Sequence, residues 1–230
     1  MRLFRTLIAS LLAAALTLSV SAAFTPSVEF KDAPEVVVTT DAEGNAVAGA
    51  ITDAEGNVLV TVPVEAITIT PISTIAKEGT NPEVAAKLAE VKVELEAALG
   101  DKNSELLTEV AKAMENVPVE NIVVSDIFTV TADEALTAAL AVAVENGFAL
   151  KISLISQNIT KAEEASITIW QKSATTGEWV KVNFTVDENN VITLELKDIG
   201  EIVIFRDSAA KPATAKDAPK SPQTTPVKNP

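Results

Sequence analysis

The sequence predicts an α+β fold: antiparallel, β-sandwich-like sheets with a helical hairpin, at about residues 82–116, packed on them. Three observations predict this fold. Short β-branched segments occur in both halves of the chain, acidic turn motifs separate several of them, and a stretch of helical period lies in the middle. Two small domains, divided near Thr80 or Val117, are the alternative to one α+β unit, and the order of elements is compatible with both.

Residues 1–23 have the features of a cleavable secretory signal peptide. Arg2 and Arg5 give a positive n-region, residues 6–20 carry no charge, and residues 21–23 (Ser-Ala-Ala) supply the small side chains that a signal peptidase requires. The apolar run is shorter than the roughly 20 residues that a transmembrane helix needs. We therefore expect an extracytoplasmic protein, secreted or cell-surface associated, with no transmembrane segment in the mature chain. An uncleaved N-terminal anchor is the alternative.

Residues 24–80 are predicted to form a β-meander region. The pentapeptide Asp-Ala-Glu-Gly-Asn occurs at residues 41–45 and again at 53–57, beside β-branched residues. An Asp that opens the turn and a Gly at its left-handed position are typical of a tight hairpin connection. A calcium site is the alternative for such acidic turns, but an EF-hand loop has Gly at its sixth position, and here Gly is fourth. A further strand is predicted from Val62 to Ile72.

Residues 81–117 are predicted to form the helical hairpin. Asn81 is a suitable N-cap, Pro82 suits the first helical position, and Gly100 suits the end of the first helix. After a short link, Ser104 caps a second helix. Each helix has one apolar stripe, made by Val84, Leu88, Val91, Leu95 and Leu99 in the first and by Leu107, Val110, Ala111 and Met114 in the second. We expect these stripes to cover one sheet face; an exposed, partner-binding hairpin is the alternative.

Residues 118–206 are predicted to form a β-sandwich-like module. A helix is expected at residues 133–145, and residues 187–190 make a third acidic turn with Asn190 in place of the glycine. The predicted strands cover residues 121–131, 148–155, 166–171, 178–186, 191–196 and 201–205. Short strands at this spacing suggest an antiparallel sandwich.

Four segments of this module carry a resemblance: Ser125–Phe128, Gly177–Val180, the hairpin that begins at Asp187, and Ile199–Phe205. Together they resemble the immunoglobulin-like and related β-sandwich modules of exported and surface proteins of Gram-positive bacteria, especially clostridial relatives. The resemblance implies a structural, spacer or ligand-binding module. It implies no functional residues, because such modules share no common site.

Residues 207–230 are predicted to form a disordered tail rich in Pro, Lys and Thr. They contain too few large apolar residues to offset the entropy of ordering the chain. Within them, Ser221-Pro222-Gln223-Thr224 resembles the S-P-x-T-G sorting signals by which sortases attach surface proteins to Gram-positive cell walls. Thr225 stands in place of the glycine, and an apolar span with a basic end does not follow. We expect a wall-spanning or solubilising linker rather than a working signal.

The amino-acid composition limits the kinds of molecule that the protein is expected to bind. Loss of Arg2 and Arg5 with the signal peptide leaves 18 − 2 = 16 basic against 32 acidic residues, a formal charge of −16. An acidic surface without a basic cluster repels phosphate groups, so we expect neither nucleic acid nor an anionic membrane as partner. The same charge opposes self-association, and we expect a monomer. A cell-wall, glycan or protein partner stays open.

The sequence contains no cysteine, histidine or tyrosine. This excludes disulfides, Ser-His-Asp and Cys-His catalysis, and the usual His/Cys zinc sites. Carboxylates are the remaining acid–base candidates, and the adjacent pairs lie in predicted loops or at helix starts: Asp133-Glu134, Glu163-Glu164 and Asp187-Glu188. We therefore predict no catalytic residue, no cofactor and no metal site.

Trp170 and Trp179 are the candidate ligand-binding residues. They lie on consecutive predicted strands, and two indole rings on one exposed face can stack on a sugar ring. Core or cross-strand packing is the commoner role of such residues.

We expect a non-enzymatic exported structural, adhesive or interaction module. A secreted glycan- or peptide-binding protein is the second hypothesis. A carboxylate-dependent hydrolase is the third, and it needs two acids about 5–10 Å apart in a cleft.

Overall fold

The computed structural model describes residues 34–72, 81–101, 103–156 and 159–210. The predicted signal peptide, the sorting-signal residues Ser221–Thr224 and nearly all of the predicted tail lie outside these ranges. The described residues form eleven β-strands: β1 Glu35–Val36, β2 Thr39–Thr40, β3 Ala46–Thr52, β4 Val58–Pro63, β5 Ile67–Pro71, β6 Ile122–Ala132, β7 Ala149–Ile155, β8 Ile167–Ser173, β9 Trp179–Val186, β10 Val191–Leu196 and β11 Gly200–Asp207. They also form three α-helices: α1 Pro82–Gly100, α2 Glu105–Ala113 and α3 Glu134–Glu145.

The strands make a curled antiparallel sheet, which confirms the predicted α+β, sandwich-like fold. The strand order is β3-β7-β10-β9-β8-β11-β6-β5, with β4 on the free side of β3 and the short β1 and β2 paired with β7 and β3. The outermost strands, β4 and β5, are consecutive in the chain and are joined by the 3-10 turn Val64–Ala66. This short connection between the two edges requires the sheet to curl back on itself.

That 3-10 turn corrects one prediction. The sequence predicts a single strand from Val62 to Ile72, but the structure divides this segment at the turn. Pro63 has no backbone N–H to continue a strand ladder, and it occupies the N-cap position of the turn. Ala66 and Ile67 are buried in the core beyond it, so the chain changes its pairing partner at this corner from β3 to β6.

The three acidic turns close hairpins, as predicted. The Asp41 carboxylate accepts hydrogen bonds from the backbone N–H of Asn45, at 2.7 Å, and from its side-chain amide, at 3.0 Å. The backbone N–H and the side-chain amide of Asn57 donate the same two hydrogen bonds to the Asp53 carboxylate, at 2.7 Å and 2.8 Å. The amide hydrogen bond from Asn45 is the main reason why the pKa of Asp41 lies below its ordinary value. Both carboxylate oxygens therefore serve the turn itself.

Two apolar cores lie on opposite faces of the strands. The inner core fills the curled sheet and includes α3, whose Leu136, Leu140 and Ala143 are buried there. The outer core lies between the helical hairpin of α1 and α2 and one face of β6, β8 and β11. β11 contributes to both cores, with Ile202 and Ile204 in the inner core and Val203 and Phe205 in the outer one. Its four consecutive apolar residues reflect burial on both faces.

The helical hairpin forms as predicted and packs on the sheet. The Asn81 side chain accepts a hydrogen bond from the Glu83 N–H at 2.9 Å, and Ser104 caps α2 in the same way. The stripe residues Leu88, Val91 and Leu95 are buried against β6 and β11. Burial of a leucine or valine of this kind contributes about 1.5–3 kcal/mol each, which holds the helices on the sheet.

Candidate functional site

Trp170 and Trp179 lie on the helix-covered face of the sheet. In strand register Trp170 is opposite Lys181 and Trp179 is opposite Lys172, so the two indoles are diagonal neighbours on β8 and β9. Trp170 is 8% exposed within the outer core, and Trp179 is half-buried at the edge of that core. The structure thus brings the two rings together, and the exposed ring surface belongs to Trp179. Stacking of a ligand on these rings stays a prediction.

Glu94 of α1 connects the helical hairpin to these strands. Its carboxylate accepts a hydrogen bond from the Trp179 indole N–H at 2.7 Å and pairs with the Lys172 ammonium, which lies 6.0 Å from the centre of the Trp179 ring. Partial burial acts to raise the pKa of Glu94, but the hydrogen bonds from Lys172 and Trp179 outweigh it and hold the pKa below its ordinary value. Sequence reasoning missed this contact, because the partners are about 80 residues apart.

A polar group occupies one end of the inner core. Asp126 of β6 is 3% exposed, and it accepts hydrogen bonds from the Ile127 N–H at 3.1 Å and from the Ser156 hydroxyl at 3.5 Å. Burial raises the pKa of Asp126 to about 6, against the lowering effect of these two donors. On β11 the guanidinium of Arg206 pairs with the buried Glu163 at 3.4 Å. The alternation of polar and apolar residues along these strands does not predict that charged side chains face inward.

Four of the six carboxylates in the adjacent pairs singled out in the sequence have structural partners. Asp133 caps α3 by accepting the Leu136 N–H at 2.7 Å, and Glu163 completes a capping box with Thr160. Glu164 accepts the Val186 N–H at 2.7 Å and pairs with Lys161 at 2.6 Å, while Asp187 organises its hairpin. Within the described ranges, no group of three or more His, Cys, Asp or Glu side chains could hold a metal ion.

The outer face of β7, β10 and β9 carries a depression of about 450 Å³. Its lining consists of Val182, Phe184 and six polar residues, which are Lys151, Lys181, Asn183, Thr185, Thr193 and Glu195. The Lys151 ammonium lies 3.1 Å from the Glu195 carboxylate, and the hydroxyls of Ser153 and Thr193 are hydrogen-bonded at 3.0 Å. These side chains are exposed or half-buried, whereas the matching face of β6, β8 and β11 lies under helices.

The outward side chains of β7, β9 and β10, over which none of the described helices lies, form the candidate functional site, here called the uncovered polar face. The polar positions of the three strands, at every second residue, are the sequence signal that would have found it. In the sequence alone, the alternation predicts strands but does not indicate which sheet surface lies outside the helices.

Comparison with known proteins does not assign the chain to a family. No protein-family model, no curated protein and no solved structure matches the chain. Among the helices that the structure describes, none has the length and apolar character needed to cross a membrane.

Proposed function

We propose that this protein is a non-enzymatic exported structural, adhesive or interaction module, secreted or associated with the cell surface. The uncovered polar face carries the proposal. It is a sheet surface backed by the inner core, and rigid elements of this kind hold binding groups more accurately than loops do. Export rests on residues 1–23, whose charge and apolar pattern are those of a signal peptide.

The chemistry of the face suits a polyhydroxylated partner such as a cell-wall glycan. Asn183 offers an amide, Thr185 and Thr193 offer hydroxyls, and the Lys151–Glu195 pair adds a charged donor and acceptor. Groups of this kind hydrogen-bond to sugar hydroxyls. A volume of about 450 Å³ lies within the 300–1,000 Å³ that is common for ligand sites.

The resemblance of residues 118–206 to immunoglobulin-like modules of Gram-positive surface proteins supports the same proposal, since such modules serve as spacers and binding units. Four of the candidate acids are engaged in caps, turns and ion pairs: Asp133, Glu163, Glu164 and Asp187. This favours an interaction module over a carboxylate-dependent hydrolase.

A matched pair of double variants tests the binding face. The double variant Lys151→Ala/Glu195→Ala removes one ion pair from the face, and Glu109→Ala/Lys112→Ala removes one from the exposed side of α2, so the net charge stays the same in both. We expect insoluble cell-wall material to retain the mature protein and the α2 variant, and to retain the face variant at least tenfold more weakly. Equal retention of the two variants, or no retention of the unmodified protein, would contradict the proposal.

A secreted glycan-binding protein is the second candidate, favoured by the same depression. The two candidates differ in whether the glycan is soluble or part of the wall. Isothermal calorimetry with soluble wall oligosaccharides, compared with sedimentation against intact wall material, separates them. Release of new reducing ends during either assay would instead indicate a hydrolase.

A further inference from the structure

The edge strand β4 presents an apolar surface that the proposed binding function does not use. Val58, Leu59 and Val60 are consecutive, and their exposed fractions are 60%, 48% and 48%. Single exposed apolar residues are normal on a protein surface, whereas three in a row form a continuous patch of the kind found at interaction sites. The patch therefore needs an explanation that the fold alone does not give.

The backbone of β4 is unpaired along one side. β4 pairs with β3, and no other strand that the structure describes lies beside it. The N–H and C=O groups of an antiparallel strand point alternately to its two sides, so about half of those in β4 point away from β3. Within the described ranges, no backbone group bonds to β4 on that side. The free side is a ready template for one more strand.

β4 has few of the features that protect edge strands from further pairing. Proteins place charged residues or proline within such strands, or keep the strands very short. β4 has six residues, none of them charged, and its single proline, Pro63, is the last of them. The register shifts between β3 and β4 lie on the side that is already paired. An edge of this composition indicates a docking site for an added strand.

A depression of about 400 Å³ lies at the Pro63 end of this edge. Thr61 and Pro63, which are alternate residues of β4, form part of its lining with the buried Val47 of β3. Asp41 and Glu65 add two carboxylates, and the lining contains no lysine or arginine. A partner strand with a basic side chain at this end therefore complements the charge of the edge.

The same charges disfavour a second copy of the chain as the occupant. Two-fold pairing of edge strands is usually antiparallel, and it brings the Pro63 end of each β4 beside the Val58 end of the other. The turn that precedes Val58 carries Asp53 and Glu55, so carboxylates would approach Glu65 at both ends of the pair. The net charge of −14 adds to this repulsion.

We propose that β4 binds an extended segment of a partner polypeptide as an additional strand, with apolar residues beside Val58–Val60 and a basic residue at the depression between Asp41 and Glu65. Main-chain hydrogen bonds of the added strand supply affinity, and the depression selects the basic residue. This surface shares no lining residue with the depression on β7, β9 and β10, so the inference does not depend on the glycan partner proposed above.

Nuclear magnetic resonance of the ¹⁵N-labelled mature chain with the peptide acetyl-KVTVTVK-amide tests the proposal. We expect about half of the β4 amides, those directed away from β3, to exchange rapidly in the free protein. They should become protected when the peptide binds, because protection requires a backbone hydrogen bond. This readout distinguishes strand pairing from contact with the apolar side chains alone.

Two further peptides separate the contributions of the backbone and of charge. The same sequence N-methylated at two adjacent central residues lacks N–H groups on both of its edges, and acetyl-EVTVTVE-amide reverses the charge. We expect each to bind at least about tenfold more weakly than the first peptide. Equal binding of either control peptide would overturn the proposal.

Leu59→Lys and Val142→Lys make a matched pair of protein variants. Leu59 is the middle residue of the exposed apolar run, and Val142 is 61% exposed on α3, so both changes replace an exposed apolar residue by the same charge. We expect Leu59→Lys to weaken peptide binding at least about tenfold, since an edge lysine repels the basic peptide, and Val142→Lys to leave it unchanged. Equal affinity of the two variants, or no saturable binding to the unmodified chain, would contradict the proposal.

Two other results would assign the edge to a different occupant. Slow exchange of every β4 amide in the free monomer would mean that a segment of the same chain already pairs with this edge. A dimer in sedimentation velocity that Leu59→Lys dissociates would mean that the occupant is a second copy. Either result would overturn the proposal, which expects a monomer whose free β4 amides exchange rapidly.

Discussion

A carboxylate loses its hydration when side chains pack around it, and the protein compensates for this loss differently at each buried position. At Glu94 the lost hydration is compensated by two hydrogen-bond donors, Lys172 and Trp179, and the pKa of Glu94 lies below its ordinary value. Asp126 has two weaker donors and is almost fully buried, so its pKa is raised to about 6. Removing the charge of Glu94 and removing the charge of Asp126 are therefore expected to change the free energy of unfolding in opposite directions.

Asp126→Asn tests the burial of an uncompensated charge. With a folded pKa of about 6 against an ordinary 3.8, the folded state binds the proton more tightly than the unfolded chain. The stability from this group is complete below about pH 4 and is lost as the pH rises through 6, at a cost of roughly 3 kcal/mol at pH 7. We expect Asp126→Asn to be about 1–3 kcal/mol more stable at pH 7, by urea unfolding, and nearly unchanged at pH 3.5.

The control for this prediction is Asp187→Asn, because hydrogen bonds from its own turn hold the pKa of Asp187 below its ordinary value. Its contribution to stability is therefore present above pH 3.8 and is lost on acidification, so this variant should be less stable at pH 7. A destabilised Asp126→Asn protein at pH 7 would contradict the account of Asp126.

Glu94→Ala tests the polar connection between α1 and the sheet. The change removes the acceptor of the Trp179 indole N–H and the counter-ion of Lys172, so we expect a loss of about 1–2 kcal/mol in the free energy of unfolding. Glu90→Ala, one turn earlier on the exposed side of α1, is the matched control, with an expected change below about 0.5 kcal/mol. Equal effects of the two substitutions would show that the connection contributes nothing.

At the scale of elements, the curled sheet depends on pairings between segments far apart in the chain. β3 pairs with β7, and β5 pairs with β6, so strands on either side of the helical hairpin lie side by side. Gly49 of β3 lies at one such contact, where a Cβ would collide with the backbone oxygen of Lys151 in β7. The absence of a side chain at this position is what allows the two strands to approach.

Gly49→Ala should therefore destabilise the protein by about 1–3 kcal/mol, as overpacking of a close contact does. Gly100→Ala is the matched control, since no atom lies within 4 Å of a Cβ there and alanine favours the helical conformation by about 1 kcal/mol. We expect the control to be neutral or slightly stabilised in a thermal unfolding series. A Gly49→Ala protein as stable as the Gly100→Ala protein would contradict the close approach of β3 and β7.

Features that depend on contacts between near neighbours in the sequence are predicted well. Features that depend on contacts between distant segments are not. The Asp41 and Asp53 turns and the caps Asn81 and Ser104 depend on contacts within four residues, which a pattern can reveal. The corner after Pro63 depends on which strand each segment pairs with, and no local pattern encodes that partner. This is why Val62–Ile72 was predicted as one strand.

At the scale of the whole molecule, the outer surface of the sheet is covered by the helical hairpin on β6, β8 and β11 and carries the candidate site on β7, β9 and β10. The uncovered polar face is made by polar residues alternating along β7, β9 and β10, a pattern visible in the sequence. Which strands the helical hairpin covers could not be predicted in this way, because that depends on how α1 docks on β6 and β11. The sequence directed attention to Trp170 and Trp179, and their rings lie against the helical hairpin.

The proposal of an exported interaction module rests on the chain leaving the cytoplasm and meeting its partner with the uncovered polar face. The most direct test is to separate the producing cells into medium, wall and membrane fractions and to determine both termini of the protein by mass spectrometry. The account predicts a chain that begins near Phe24 and is recovered from the wall or the medium. A chain that retains residues 1–23 and is recovered with the membrane would contradict it.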